Sequence, residues 1–147
     1  MIPAQVDQIT VDWLNEHLDD DIGTIVEVAI EHIGEGVGIL GEVARLTLTY
    51  ADQHSGPATL IAKCQSIHPE NVVISQLMGF YEREVNFYSQ VAAKLTVRTP
   101  HCYIAEMADG GTPFVLVIEA IEGGSMIDQV VGATLEESLA IARTVAA

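Results

Sequence analysis

Basic residues are scarce in this sequence of 147 residues, which has 6 lysines and arginines against 21 acidic residues. The formal net charge is −15. Proteins that bind nucleic acids neutralise phosphates with clustered Lys and Arg side chains, and anionic membrane surfaces attract the same cations. The charge balance therefore makes nucleic acid and anionic membrane poor partners for this chain.

Long apolar runs are also missing. No run reaches the roughly 18 residues of a membrane-spanning helix, and the first residues lack the basic start and apolar core of a signal peptide. We therefore expect a soluble, cytoplasmic protein. The hydrophobic fraction is 49%, which is typical of a folded chain, and the length fits one domain of about 150 residues.

The chain lacks the cysteine and histidine spacings of metal sites. Cys64 and Cys102 have no CxxC partner, so we expect two reduced cysteines and no thiolate metal site. There is no Gly-x-Ser-x-Gly motif, and neither cysteine has an obvious base for nucleophilic hydrolysis. The histidines lack zinc-ligand spacing, and we expect them at the surface or in turns. They are His17, His32, His54, His68 and His101.

The remaining pattern predicts five strands and three helices. Alternation and β-branched residues predict strands at 24–33, 44–50, 58–63, 102–107 and 114–121. Turn formers separate them at 52–57 and at Asp109-Gly110-Gly111. Helical spacing predicts helices at 10–18 with Thr10 as N-cap, at 71–95, and from a capping box at Thr134 through Ala147. We predict an α+β fold: a five-stranded antiparallel sheet covered on one face, with one long packed helix, a leading helix and a C-terminal helix.

A glycine-rich segment, residues 34–41, lies between the first two predicted strands. Its last six residues satisfy G-x-G-x-x-G, a motif that two unrelated kinds of nucleotide-binding protein share. A strand follows the glycines where a dinucleotide site would need a helix, and Val43 stands two places after Gly41 as in kinase-type loops. The segment therefore favours a loop whose backbone amides approach phosphates, although a glycine-rich hairpin that binds nothing would also account for it.

Two charged residues lie within apolar patterns. Lys63 follows the apolar run Leu60-Ile61-Ala62, and Glu84 falls among the apolar residues of the predicted long helix. Each is costly there unless it is paired, so we predict that Lys63 and Glu84 meet between sheet and helix. Glu82 is the other carboxylate on that helix, but its helical neighbours indicate a solvated position. The alternative is that Lys63 extends outward and Glu84 marks the edge of the apolar stripe.

Several short motifs, in this order, carry a resemblance to a known family. They are the glycine-rich segment 34–41 followed by Arg45, Ala62-Lys63, Tyr81-Glu82-Arg83-Glu84-Val85-Asn86-Phe87-Tyr88, Thr99-Pro100-His101-Cys102-Tyr103 and Val115-Leu116-Val117-Ile118-Glu119. The chain resembles, over nearly all of its length, the N-terminal lobe of the aminoglycoside phosphotransferase and choline kinase superfamily. Within that superfamily it is most similar to the ecdysteroid-kinase-like branch.

The resemblance implies a site for ATP. It makes Lys63 the phosphate-binding lysine and Glu84 its helix partner. The implied phosphate cover contains Gly34, Gly36, Gly38 and Gly41. The implied adenine contacts are the side chains of Ile33, Val43 and Ile118 and the backbone of Glu119 and Ile121. Ala120 stands where the family often has an acidic residue. We therefore expect an adenine pocket that is altered but not lost.

The resemblance also implies that part of an enzyme is missing. In this superfamily the catalytic Asp, the Asn after it and a second metal-binding Asp lie in a C-terminal lobe, and this chain has no His-Gly-Asp loop and no His-x-Asp-x-x-x-x-Asn motif. Residues 1–121 would be the nucleotide-binding lobe with its leading helix, and 122–147 a linker and the first helix of the other lobe. The chain would then hold no catalytic residue and no metal ligand, and alone it would be inactive.

The implied enzyme is an ATP-dependent small-molecule kinase with ATP and Mg²⁺ as cofactors. The missing lobe would supply the Mg²⁺ ligands and would bind the acceptor, a small molecule with a hydroxyl group. A non-catalytic binding or dimerisation module built on the same sheet is the alternative. Both hypotheses allow self-association through the surface where a second lobe would dock.

Overall fold

The sheet has the predicted composition and direction. The computed structural model describes residues 1–34, 40–51, 56–124, 127 and 130–146. One antiparallel sheet has the strand order β1-β2-β3-β5-β4. Its strands are Ile25–His32 (β1), Gly41–Tyr50 (β2), Thr59–Gln65 (β3), Cys102–Met107 (β4) and Phe114–Glu119 (β5). The α+β class and the five-stranded antiparallel sheet are confirmed.

Four α-helices are present in the described residues. They are Val11–His17 (α1), Pro69–Met78 (α2), Phe80–Asn86 (α3) and Leu135–Val145 (α4). Both predicted N-terminal caps are confirmed: Thr10 accepts a hydrogen bond from the Trp13 backbone N–H at 3.2 Å, and Thr134 forms a capping box with Glu137. The expected last helical residue, Ala147, the turn residues 52–55, and Gly36 and Gly38 lie outside the described residues.

One face of the sheet packs on the N-terminal segment. Leu46, Leu60 and Val117 from three strands join a buried cluster with residues of the first 22 positions. The N-terminal members are Val6, Ile9, Trp13, Leu14, Leu18 and Ile22. We call this side of the sheet the core face.

The opposite side packs on α3, and we call it the Lys63 face. Tyr81 and Val85 of α3 form a second buried cluster with Phe114 and Leu116 of β5. The prediction that the sheet is covered on one face is therefore wrong. Four successive residues of β5, from Phe114 to Val117, are buried, and a continuous apolar run is typical of a strand covered on both faces.

The predicted long helix at 71–95 is also wrong as a single element. Gly79 has φ +64° and ψ +31°, a left-handed conformation that ends α2 and precedes α3. The chain then continues as one π-helical turn, Phe87–Val91, and one 3₁₀ turn, Ala92–Lys94. Because the break changes the helix direction, Leu77 is exposed while Tyr81 is buried. The apolar stripe therefore does not continue from α2 into α3.

Within the part of the chain that the structure describes, we find no helix with the length and apolar character needed to cross a membrane.

Replacing Gly79 by alanine tests the helix break. A Cβ atom there would have Glu82 Oε2 as its nearest neighbour, at 4.0 Å, so the cost is conformational, not steric. A left-handed residue with a Cβ atom costs about 1 kcal/mol or slightly more. We expect Gly79→Ala to lower the free energy of unfolding by that amount in urea denaturation.

Gly124→Ala is the matched control. Gly124 has no left-handed φ, and its Cβ would meet Ile121 Cγ2 at 3.9 Å, an ordinary contact. We expect a change within about 0.5 kcal/mol for this variant. Equal losses in the two variants would contradict the role assigned to the Gly79 conformation.

Candidate functional site

Lys63 lies on the central strand of the sheet. It is opposite Val43 of β2 and Leu116 of β5. Side chains alternate along a strand, and its neighbours Ala62 and Cys64 are fully buried on the core face. Lys63 therefore extends to the face that carries α3.

Gly41 makes room for the Lys63 side chain. A Cβ atom at Gly41 would lie 2.8 Å from the Cys64 carbonyl oxygen and 3.3 Å from Lys63 Cε. A backbone oxygen at that distance cannot move aside cheaply, so a side chain at position 41 would shift β2 against β3. This predicted site glycine is thus explained by close approach of two strands next to Lys63.

Glu84 is placed by the packing of α3 against β5. The Tyr81 ring stacks on Phe114 with centroids 4.3 Å apart, and Val85 is buried beside it. Glu84 follows Tyr81 by three residues, so the two occupy neighbouring positions on the helix surface. Tyr88, one turn later, has a pKa raised by burial first and then by the charges of Glu84 and Cys102.

The predicted contact between Lys63 and Glu84 is present. Lys63 Nζ donates to both carboxylate oxygens of Glu84, at 2.7 Å each. The two side chains are 31% and 32% exposed. A pair this exposed contributes at most about 1 kcal/mol to folding, so the chief effect of the contact is to hold one ammonium group at a defined point of the sheet.

Three of the predicted adenine contacts share the face of Lys63. Val43 is directly opposite Lys63, and the Ile33 backbone N–H donates to the Val43 carbonyl at 2.9 Å. Ile118 of β5 pairs with Ile61, two residues before Lys63 on β3. All three aliphatic side chains are half-buried, so they form an apolar border on the strands beside the ammonium group.

Glu119 directly follows Ile118 on β5. With Ile121, Arg98 and His101 it also lines a cavity of about 730 Å³ whose lining includes neither Lys63 nor Ile118. The Glu119 backbone N–H is already bonded to the His101 carbonyl at 2.8 Å. The Glu119 N–H is therefore already paired, which leaves the Glu119 carbonyl as the backbone group that could accept a hydrogen bond from a ligand.

The Glu119 side chain has a structural role that the sequence did not reveal. It accepts hydrogen bonds from Arg98 Nη2 at 2.6 Å and from the His101 backbone N–H at 3.1 Å. The His101 backbone N–H first, and the Arg98 guanidinium next, hold the pKa of this carboxyl below its ordinary value. The side chain thereby fastens the segment that leads into β4.

Gly34 is exposed and has φ +73°. Gly36 and Gly38 lie outside the described residues. Of the glycine-rich segment, the structure describes Gly34, Leu40 and Gly41.

Tyr81 lies next to the site. In the sequence it is only part of an apolar stripe and of the motif that runs from Tyr81 to Tyr88. Its hydroxyl donates to the Leu40 carbonyl at 2.6 Å and accepts from the Ser66 backbone N–H at 3.2 Å. The ring is 2% exposed. A tyrosine in an apolar pattern signals burial, but it gives no sign of which backbone groups its hydroxyl reaches.

The described residues contain no group of three or more His, Cys, Asp or Glu side chains placed to hold a metal ion. The expectation that the histidines are surface or turn residues is wrong for His17. This side chain is half-buried, stacks on Trp13 at 4.5 Å and contacts the Trp13 carbonyl through Nδ1 at 2.8 Å. His54 lies outside the described residues.

No protein-family model, curated protein or solved structure matches the chain at a significant level.

Cys64 provides a test of the packing behind Lys63. It is fully buried on the core face, and burial, followed by the nearby Glu42 charge, raises the pKa of its thiol to about 12. Since the thiolate is the reactive species, we expect alkylation of Cys64 by iodoacetamide at pH 8 to be slower than in urea-unfolded chain by at least about 100-fold. Peptide mapping by mass spectrometry measures both rates.

Cys102 serves as the internal comparison. It is half-buried and free, and burial also raises the pKa of its thiol. We expect its alkylation to be intermediate between Cys64 and the unfolded chain. Rapid alkylation of Cys64 in folded protein would contradict the packing of the N-terminal segment on the core face.

Proposed function

We propose that this chain binds ATP with Mg²⁺ and is the nucleotide-binding lobe of a cytoplasmic, ATP-dependent phosphotransferase that acts on a hydroxyl of a small molecule. The bidentate contact between Lys63 and Glu84 carries the proposal. The family resemblance of the sequence motifs, two of which contain Lys63 and Glu84, also supports it.

The contact with Glu84 leaves one N–H donor of the Lys63 ammonium group without an acceptor among the described residues. Lys63 Nζ has three donors and gives two to the Glu84 oxygens. With the side chain about one-third exposed, the remaining donor is available to a ligand on the Lys63 face. A point charge held this way is suited to the oxygens of a nucleotide phosphate.

Aliphatic side chains form an apolar border beside the Lys63 ammonium group. Ile33, Val43 and Ile118 offer aliphatic side chains on strands adjacent to Lys63. Small-molecule sites combine such apolar walls with a few placed polar groups. In this proposal these side chains hold the adenine ring and the Glu119 carbonyl accepts from its edge, while the backbone of Ile121, on the same segment, contributes a second contact.

The glycine-rich segment completes the proposed site. Gly34 and Gly41 bound it in the described residues, and the proposal assigns the phosphate contacts to the backbone amides of the segment, including Gly36 and Gly38. Mg²⁺ bound with the nucleotide would neutralise part of the phosphate charge. Its protein ligands are assigned to a catalytic lobe outside these 147 residues.

Phosphoryl transfer is assigned to that same lobe. The sequence has no His-x-Asp-x-x-x-x-Asn motif, since His17-Leu18-Asp19 is followed by Thr24 where the Asn would stand. The proposed roles of Lys63 and Glu84 are to bind and orient phosphates, not to take a proton from the acceptor. The chain alone is therefore expected to bind nucleotide without turnover.

A second candidate function is a non-catalytic module that associates with another copy of itself. The apolar side chains of α4 favour it: Leu135, Leu139, Ile141 and Val145 are all exposed. Light scattering after gel filtration distinguishes a monomer from a dimer. A dimer that Leu135→Ser and Leu139→Ser convert to a monomer, in a chain that binds no nucleotide, would favour this candidate over the first.

The lysine gives the most direct test of nucleotide binding. We expect Lys63→Ala to weaken the binding of ATP with Mg²⁺ about 10- to 100-fold, the equivalent of one hydrogen bond to a charged group. Isothermal titration calorimetry of the 147-residue chain measures the dissociation constants, and thermal denaturation establishes that the variant is folded.

Lys94→Ala is the matched control, because Lys94 is the only other lysine and is exposed on a 3₁₀ turn after α3. Its dissociation constant should equal that of the wild type. Wild-type binding that Lys63→Ala leaves unchanged would remove the proposed role of Lys63, and failure of the wild type to bind would remove the nucleotide proposal.

A further inference from the structure

The Tyr81 hydroxyl joins three elements next to the Lys63–Glu84 contact. The residue belongs to α3, its acceptor Leu40 immediately precedes β2, and its donor Ser66 immediately follows β3. The two bonds, at 2.6 and 3.2 Å, use the hydroxyl once as donor and once as acceptor. The hydroxyl therefore fixes the position of α3 relative to the start of β2 and to the end of β3, the strand that carries Lys63.

The geometry relates this anchor directly to Glu84. Residues three apart on a helix lie on neighbouring positions of its surface, so Glu84 follows Tyr81 by just under one turn. α3 has seven residues and begins after the left-handed Gly79. A helix of this length has little stability of its own, and its rotation is set by contacts such as those of Tyr81.

The ring and the hydroxyl have separable tasks. The stacking of the ring on Phe114 at 4.3 Å supplies apolar burial that a phenylalanine would keep. The hydroxyl sets the rotation of α3 about its axis, because its two hydrogen bonds can form together only at one such rotation. Apolar packing alone would tolerate small rotations that move the Glu84 carboxylate away from Lys63 Nζ.

We propose that Tyr81 is a positioning residue, whose hydroxyl holds α3 at the rotation that brings Glu84 to Lys63. Its effect on nucleotide binding rests on the function proposed above, whereas its effect on the Lys63–Glu84 contact does not. The experiment therefore has one readout without nucleotide and one with it.

The readout without nucleotide is the acylation of lysine. Acetylation of Lys63 and Lys94 by N-acetoxysuccinimide is followed by peptide mapping, and the exposed Lys94 serves as the in-chain reference. Loss of the hydroxyl in Tyr81→Phe removes both of its bonds and should raise the Lys63-to-Lys94 rate ratio about fivefold, the equilibrium equivalent of losing the Lys63–Glu84 contact. An unchanged ratio in folded Tyr81→Phe would overturn the proposal.

Tyr50→Phe is the matched control. The Tyr50 hydroxyl donates to the Pro57 carbonyl at 2.9 Å, so this variant loses a similar bond at the other end of β2. Its acylation ratio should match that of the wild type. An equal rise in both variants would indicate general loosening and would overturn a specific role for Tyr81.

A second variant keeps the test open if Tyr81→Phe does not fold. Coupling between two sites is reciprocal, so Glu84→Gln should accelerate hydrogen exchange of the Ser66 amide, which donates to the Tyr81 hydroxyl. The Ile25 amide, which donates to Asn15 Oδ1 at 2.9 Å, should be unaffected, and Glu82→Gln should change neither amide. Exchange at Ser66 that is unchanged by Glu84→Gln would overturn the coupling.

The readout with nucleotide is the dissociation constant of ATP with Mg²⁺. It should rise about fivefold in Tyr81→Phe and stay constant in Tyr50→Phe. In a double-mutant cycle, Tyr81→Phe should have no further effect once Glu84 is Gln. Absence of wild-type binding would defeat the proposed function alone, because the acylation ratio still decides whether Tyr81 positions Glu84.

Discussion

The contact between Lys63 and Glu84 constrains the rest of the structure, because it requires a central strand and a helix to present opposite charges at one point. Lys63 is confined by its place in β3, between β2 and β5. Glu84 is confined by the packing of Tyr81 and Val85 on β5. Because both side chains are about one-third exposed, the contact itself adds at most about 1 kcal/mol to folding, so the packing of the sheet and α3 must place the two charges.

The two faces of the sheet are covered to different extents. The core face buries side chains from all five strands and α1 in one cluster, and this cluster supplies most of the apolar burial. The Lys63 face is covered by α3 only over β5 and β4, where Leu116, Phe114, Ala105 and Met107 lie. Over β2 and β3 the half-buried residues remain accessible to a ligand without loss of the main core.

The sequence was sufficient for the strands, and for the charged pair it favoured the contact over a Lys63 that extends outward. Period-two alternation is a strong local signal, and a lysine and a glutamate isolated in apolar patterns are costly unless they are paired. The break at Gly79 was not predictable, because a single glycine in a helical pattern is compatible with either a continuous or an interrupted helix. The cover on the second face was visible only in the uninterrupted apolar run of β5, which lacks the alternation of a one-sided strand.

The role of the Tyr81 hydroxyl was beyond sequence reasoning for a different reason. Its partners, Leu40 and Ser66, are 41 and 15 positions away and contribute only backbone groups, which every residue type carries. The position of His17 was unpredictable for the same reason. It contacts a backbone carbonyl, and its burial depends on the Trp13 ring. Side-chain identity predicts which groups need partners, but the three-dimensional arrangement decides which backbone atoms provide them.

The shortness of α3 has a consequence for the order in which this molecule acquires its structure. Seven residues bounded by Gly79 and a π-helical turn are too few to persist as a helix in the unfolded chain. Glu84 takes up its place through the packing of α3 on Phe114 and Leu116 of β5. Formation of the lysine–glutamate pair therefore requires β5 to pair with β3, although these two strands are far apart along the chain.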